Sequence, residues 1–196
     1  MKLRNFCLSA ILLTGSNLSA SVITYFANLD GPSESPTNAS PGTGFALITV
    51  DNLLNTMRLQ VSFSGLLGTT TASHIHSPTP SPFTGTAGVA TTTPSFVGFP
   101  LGVTSGTFDN TLNLTLASSY NPAFVTANGG TPASAEAALL AGIAAGEAYL
   151  NIHSSVFGGG EIRGFLIAVP EPATLGLVGL ALVGLLAFGR KRHLSA

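Results

Sequence analysis

From Thr56 to Ser64 apolar and polar residues alternate without a break. Met57, Leu59, Val61 and Phe63 fall on one side of an extended chain, and Arg58, Gln60 and Ser62 on the other. Side chains of a strand point to its two faces in turn, so this period of two predicts a half-buried antiparallel strand. Val22 to Leu29, Thr43 to Val50 and Thr69 to His76 are rich in β-branched and aromatic residues and read as further strands. Leu112, Leu114 and Leu116 repeat the period of two after a turn expected at Thr107 to Thr111. Ala148 to His153 and Glu161 to Leu166 form two strands joined by a glycine-rich turn. Asp30 to Pro41 and Ser77 to Pro94, dense in Pro, Ser, Thr, Asn and Gly, are loops. One helix is predicted near 132–145. Thr131 can cap its first amides, Pro132 suits the first helical position, Leu139, Leu140 and Ile143 make a small apolar stripe, and Gly146 can end it. Together these elements predict an all-β fold, an antiparallel β-sandwich with Greek-key-like connections and one short crossover helix.

The two ends follow a different pattern. Residues 1–20 read as a signal peptide: Lys2 and Arg4 are basic, Phe6 to Thr14 is apolar, and Ser19, Ala20 and Ser21 are small enough for cleavage. At the other end, Ala173 to Gly189 is an apolar run flanked by Pro170, Glu171 and Pro172 before it and Arg190, Lys191 and Arg192 after it. At 1.5 Å per residue this run spans about 26 Å, enough for a short transmembrane helix over 173–189. The basic residues that follow put its far end on the cytoplasmic side. The chain therefore divides into a signal peptide (1–20), a β-domain (22–168) and a C-terminal segment (169–193).

Charge narrows the choice of partners. Only 8% of all residues are charged. Between the two terminal segments, Arg58 and Arg163 are the only cations, against seven carboxylates. With no basic patch, nucleic acid is excluded as a partner and anionic polysaccharide is a poor one. Cys7 is the sole cysteine and lies in the signal segment, so the domain has neither disulfides nor thiolate metal sites.

Few places could carry chemistry. There is no Gly-x-Ser-x-Gly elbow, no phosphate loop and no evident pair of catalytic carboxylates, so the chain is expected not to be an enzyme. His74 and His76 lie two apart on a strand and share a face, an arrangement able to fill two adjacent positions around a metal. His153 is a third candidate ligand and Glu161 a fourth. The alternative is that these histidines are polar core residues hydrogen-bonded to backbone. Tyr149, Asn151 and His153 share one face of their strand, and Glu161, Arg163 and Phe165 share one face of the next. A buried Arg163 needs a carboxylate on a neighbouring segment, Glu34 or Glu147. Glu34, Asn151, Glu161 and Arg163 are accordingly expected as a structural polar cluster.

Several of these stretches, in order, resemble the CHRD (chordin-type) domain family. They are Glu34-Ser35-Pro36, Thr43-Gly44-Phe45-Ala46, His74-Ile75-His76, Gly146 to His153, and Gly160-Glu161-Ile162-Arg163-Gly164. The resemblance covers residues 22–168 and implies a β-sandwich-like domain without an established activity. The C-terminal segment resembles a PEP-CTERM sorting signal: Pro170, Glu171 and Pro172, then the apolar run, then Arg190, Lys191 and Arg192. That resemblance implies an exported protein of a Gram-negative bacterium, handled by an exosortase-type membrane enzyme, held in the membrane by its C-terminal helix before processing, and linked to exopolysaccharide. The leading expectation is a non-enzymatic, extracellular or cell-surface binding or structural module with no cofactor. The alternative is a metal-binding or redox protein holding a divalent metal on His74, His76 and His153.

Overall fold

The computed structural model describes residues 22–170. The predicted signal peptide, the transmembrane helix and the sorting residues from Glu171 onward lie outside the described residues. Among the described residues no helix is long and apolar enough to cross a membrane.

The first three strands, β1 (Val22–Asp30), β2 (Thr43–Asp51) and β3 (Thr56–Ser64), follow in simple antiparallel succession. Next come β4 (Thr70–His76) and, after a long loop, β5 (Gly106–Asn113). Two helices, α1 (Pro122–Ala127) and α2 (Pro132–Ala144), precede β6 (Tyr149–Ser154), β7 (Ile162–Phe165) and the short β8 (Ile167–Ala168). The strand order is β4-β6-β7-β1-β2-β3-β5, with β8 also paired to β1.

The antiparallel all-β expectation holds, but the strands form one curled sheet and not two separate ones. The reason is β1. It pairs with β2 along its whole length, from Val22↔Asp51 to Asp30↔Thr43. Its other edge takes β7 at Asp30↔Arg163 and β8 at Tyr25↔Ala168. Both halves are therefore stitched to one strand. The core side is filled by alternate residues of β1 to β7, among them Leu29, Ile48, Leu59, Ile75, Leu150, Ile152 and Ile162, all buried.

The helix predicted near 132–145 is α2. The Thr131 hydroxyl accepts from the Ser134 amide at 3.1 Å, and Pro132 opens the first turn. Gly146, at φ +73°, ends it by donating to the Ile143 carbonyl, a left-handed position that suits glycine. Among the described residues there are two α-helices, not one: Asn121 accepts from the Ala123 amide and Pro122 opens α1, the same signal in shorter form. The turn expected at Thr107 to Thr111 is instead the body of β5. Asp109 and Asn110 read as turn residues, but Asp109 faces Gln60 across the ladder and is held by Arg58 at 2.6 and 2.8 Å. Phe108 and Leu112 point inward, while Leu116 is exposed.

Candidate metal centre

Side chains of β4, β6 and β7 that turn away from the core meet in rows. Register aligns His74 with Asn151, Asn151 with Arg163, and Arg163 with Asp30. In the next row His76 faces Tyr149, and Tyr149 faces Phe165. His153 pairs with Ala72, diagonal to His74. The loops 31–42 and 77–105 close over this face and bury much of it.

The three histidines converge. The His74 and His153 Nε2 atoms are 2.9 Å apart, and one ligand nitrogen from each of the three rings lies within 4.8 Å of the others. Every Nδ1 faces a backbone carbonyl: His74 that of Pro94 at 3.1 Å, His76 that of Ala87 at 2.8 Å, His153 that of Gly158 at 3.0 Å. A carbonyl only accepts, so each Nδ1 carries the proton and each neutral ring presents a bare lone pair at Nε2. The His76 Nε2 is buried and has no hydrogen-bond partner. Backbone-anchored imidazoles with free Nε2 atoms are how proteins orient metal-ligating histidines.

Protonation does not relieve this crowding. Burial, then the charges of His76 and His153, pushes His74 down to about 4. Burial likewise brings His76 to about 4, with His153 and Arg163 adding to it. His153 is lowered too, by burial. At neutral pH two lone pairs therefore face each other at 2.9 Å with no proton between them. A metal ion bound there would relieve that contact: with metal–nitrogen bonds of about 2.0–2.1 Å, nitrogens 2.9 Å apart could be neighbouring ligands at an angle of about 90°.

Behind the histidines lies a stacked layer. The Tyr149 ring lies 4.7 Å from the His76 ring at an interplanar angle of 7°. The Arg163 guanidinium lies 4.7 Å from the Tyr149 centroid. β6 runs between β4 and β7, so Arg163 and His76 stand on the two strands that flank Tyr149. Arg163 donates from Nε to the Ser33 carbonyl and from Nη1 to the Gly85 carbonyl at 3.0 Å. Its carboxylate neighbour is Glu34, with Nε to Oε2 at 3.9 Å. Glu147 does not pair with it. Burial raises the Glu34 carboxyl to about 7, against the lowering effects of Arg163, the Ser35 amide and Asn151.

Glu161 does not join the histidine cluster. Its carboxylate accepts from the Ser40 hydroxyl at 2.6 Å and from the Leu67 and Gly68 amides at 2.5 and 3.2 Å. Burial would raise this group, but Ser154, Ser40 and the two amides outweigh it and hold the carboxylate below its ordinary range. Glu161 thus fastens loops 38–42 and 66–68, apart from the Arg163–Glu34–Asn151 group. Sequence reasoning set Tyr149 on the face of His153 but gave it no role, and it did not pick out the three anchoring carbonyls, because backbone acceptors in the Pro-rich loop and the glycine-rich turn leave no side-chain signal.

A family model described as the CHRD domain matches residues 25–166. A model of the PEP-CTERM protein-sorting motif matches residues 168–192. No curated protein and no solved structure gives a match. The sorting motif is associated with exosortase processing and implies export and surface sorting in bacteria.

Proposed function

The chain belongs to the CHRD domain family, and from that premise we propose that it is an exported, surface-sorted module that binds a transition-metal ion on His74, His76 and His153 and is not itself an enzyme. The observation that carries this reading is the convergence of three imidazoles, the Nε2 atoms of His74 and His153 face to face, with every Nδ1 against a backbone carbonyl. A merely structural trio would place a donor opposite an acceptor. Here two acceptors meet at 2.9 Å. Imidazole donors suit copper, zinc, nickel and iron, and no thiolate competes. On this reading the sorted domain meets envelope or exopolysaccharide components, and a bound metal would serve capture or cross-linking there.

Elemental analysis of the full chain, purified in detergent and dialysed against a trace mixture of copper, zinc and nickel, tests the proposal. One equivalent of metal is expected, with none in His153→Ala. The metal should raise the melting temperature, since binding only the folded state stabilises it. Metal-free protein after loading, or equal metal in wild type and His153→Ala, refutes the site.

A further inference from the structure

We propose that this centre is a copper site, and that Arg163, acting through the Tyr149 ring stacked on His76, biases it toward the cuprous over the cupric ion. The inference rests on the three-histidine reading and adds to it the identity and oxidation state of the metal.

The donor set comes first. Three neutral imidazoles supply no negative charge. Among the described residues, the metal-capable cluster contains no carboxylate. Glu161 is occupied by Ser40 and two amides, and Glu34 lies beside Arg163. Zinc sites hold four ligands and fill a vacancy with water. Copper outranks zinc for a given nitrogen donor set, and monovalent copper accepts three-coordinate nitrogen ligation.

Charge decides between the oxidation states. The cost of holding an ion away from water rises with the square of its charge, so a buried, uncharged donor set penalises the dication more. Arg163 adds to this. Its guanidinium sits against Tyr149, the ring stacked on His76, and a positive charge there repels a dication at the site more strongly than a monocation. Both lie 4.7 Å from the Tyr149 ring centre, so the guanidinium is no more than about 9 Å from the His76 ring centre. At an effective dielectric constant of about 20, one elementary charge at that distance changes the cuprous-to-cupric affinity ratio by about tenfold or somewhat more. For one electron, tenfold is about 59 mV in midpoint potential. Arg163 is therefore a tuning residue and never a ligand.

The test uses the full chain in detergent at pH 8. Monovalent copper is supplied anaerobically with ascorbate and competed with bicinchoninate; divalent copper and zinc are titrated separately. The wild type should hold one copper that tenfold excess zinc does not displace. Arg163→Gln should lower the cuprous-to-cupric affinity ratio about tenfold, seen as a fall of about 59 mV in midpoint potential. Arg163→Lys, which keeps the charge, should restore most of it. Glu34→Gln, which removes the counter-charge beside Arg163, should raise the ratio. A role of Arg163 in folding alone would not move the potential in opposite directions in these two variants. Displacement of copper by zinc overturns the metal assignment, and a potential unchanged in a folded Arg163→Gln overturns the role of Arg163. Should Arg163→Gln fail to fold, Glu34→Gln decides: a ratio that stays level or falls refutes the proposal. A wild-type chain that binds no metal at all defeats the three-histidine reading beneath it, a different result from zinc preference.

Discussion

Acidifying the metal-free protein should destabilise it through its histidines. The folded protein holds His74 and His76 neutral down to about pH 4, whereas an unfolded chain takes up the proton near 6.5. The stability they contribute is thus complete above pH 6.5 and is lost as pH falls toward 4. At about 1.4 kcal/mol per tenfold, each contributes about 3 kcal/mol over that range. Glu34 works in the opposite sense. The folded protein keeps its proton up to about pH 7, and the unfolded chain releases it near 4.5. Its contribution is complete below pH 4.5 and is lost as pH rises toward 7, again about 3 kcal/mol. From pH 7 to pH 4 the three groups leave a net loss of about 3 kcal/mol, to which His153 adds with the same sign. Against a typical total of about 5–15 kcal/mol this is a large change. Tyr25, Tyr120 and Tyr149 are the chain's only tyrosines, there is no Trp, and all three are buried in the domain. Tyrosine emission during urea unfolding, with a chelator present, therefore reports the domain alone. His76→Gln should remove about 3 kcal/mol of the loss and leave stability nearly flat, while Glu34→Gln should deepen the loss. A wild type equally stable at pH 4.5 and 6.5, or a His76→Gln profile that falls as steeply as wild type, would show that the histidines are not held neutral by the fold.

Three other outcomes follow from described contacts. Glu161→Gln turns an amide donor toward the Leu67 and Gly68 amides and should cost about 1–3 kcal/mol in urea unfolding; no change would mean that the carboxylate is dispensable there. Gly160→Ala should destabilise by several kcal/mol, because φ is +131° and an added Cβ would come within 2.7 Å of Asn151 and the Glu34 Oε1; a melting temperature within a degree of wild type counts against that packing. Truncation after Pro170 should leave the tyrosine-monitored melting temperature nearly unchanged and free the protein from membranes on fractionation, and a large drop would place the removed segment against the domain.

The parts of the fold that could be read in the sequence were those with one dominant signal. Met57, Leu59, Val61 and Phe63 alternate, and β3 matches the expected bounds. The Thr131-Pro132 start and Gly146 stop bracket α2. Signals failed where local chemistry and long-range pairing disagreed. Asp109 and Asn110 favour turns by themselves, but Arg58 on the adjacent strand holds Asp109 in a ladder. The continuity of the sheet depends on both edges of β1, a property no periodicity reveals. For the site, the period of two placed His74 and His76 on one face and set His153 beside Tyr149 and Asn151. It could not separate Glu161 from Arg163. Two residues apart, they were assigned one face, yet Glu161 precedes β7 and its side chain turns to the loop amides.

The closing stitch of the sheet bears on how the chain is handled after export. Val169 donates to the Thr24 carbonyl at 2.8 Å, one residue before Pro170. The folded body therefore ends against the sorting motif with almost no tether. A processing enzyme that reaches Pro170, Glu171 and Pro172 must approach within a residue or two of β1, or else draw chain out of the domain. Only β8 can yield cheaply: it is two residues long and both are exposed. Peeling Ile167 and Ala168 from Tyr25 and Phe26 would lengthen the reach by about 7 Å and leave β7, and with it the histidine face, in register. Being two exposed residues at the end of the described body, β8 is slack that could be given up without opening the domain.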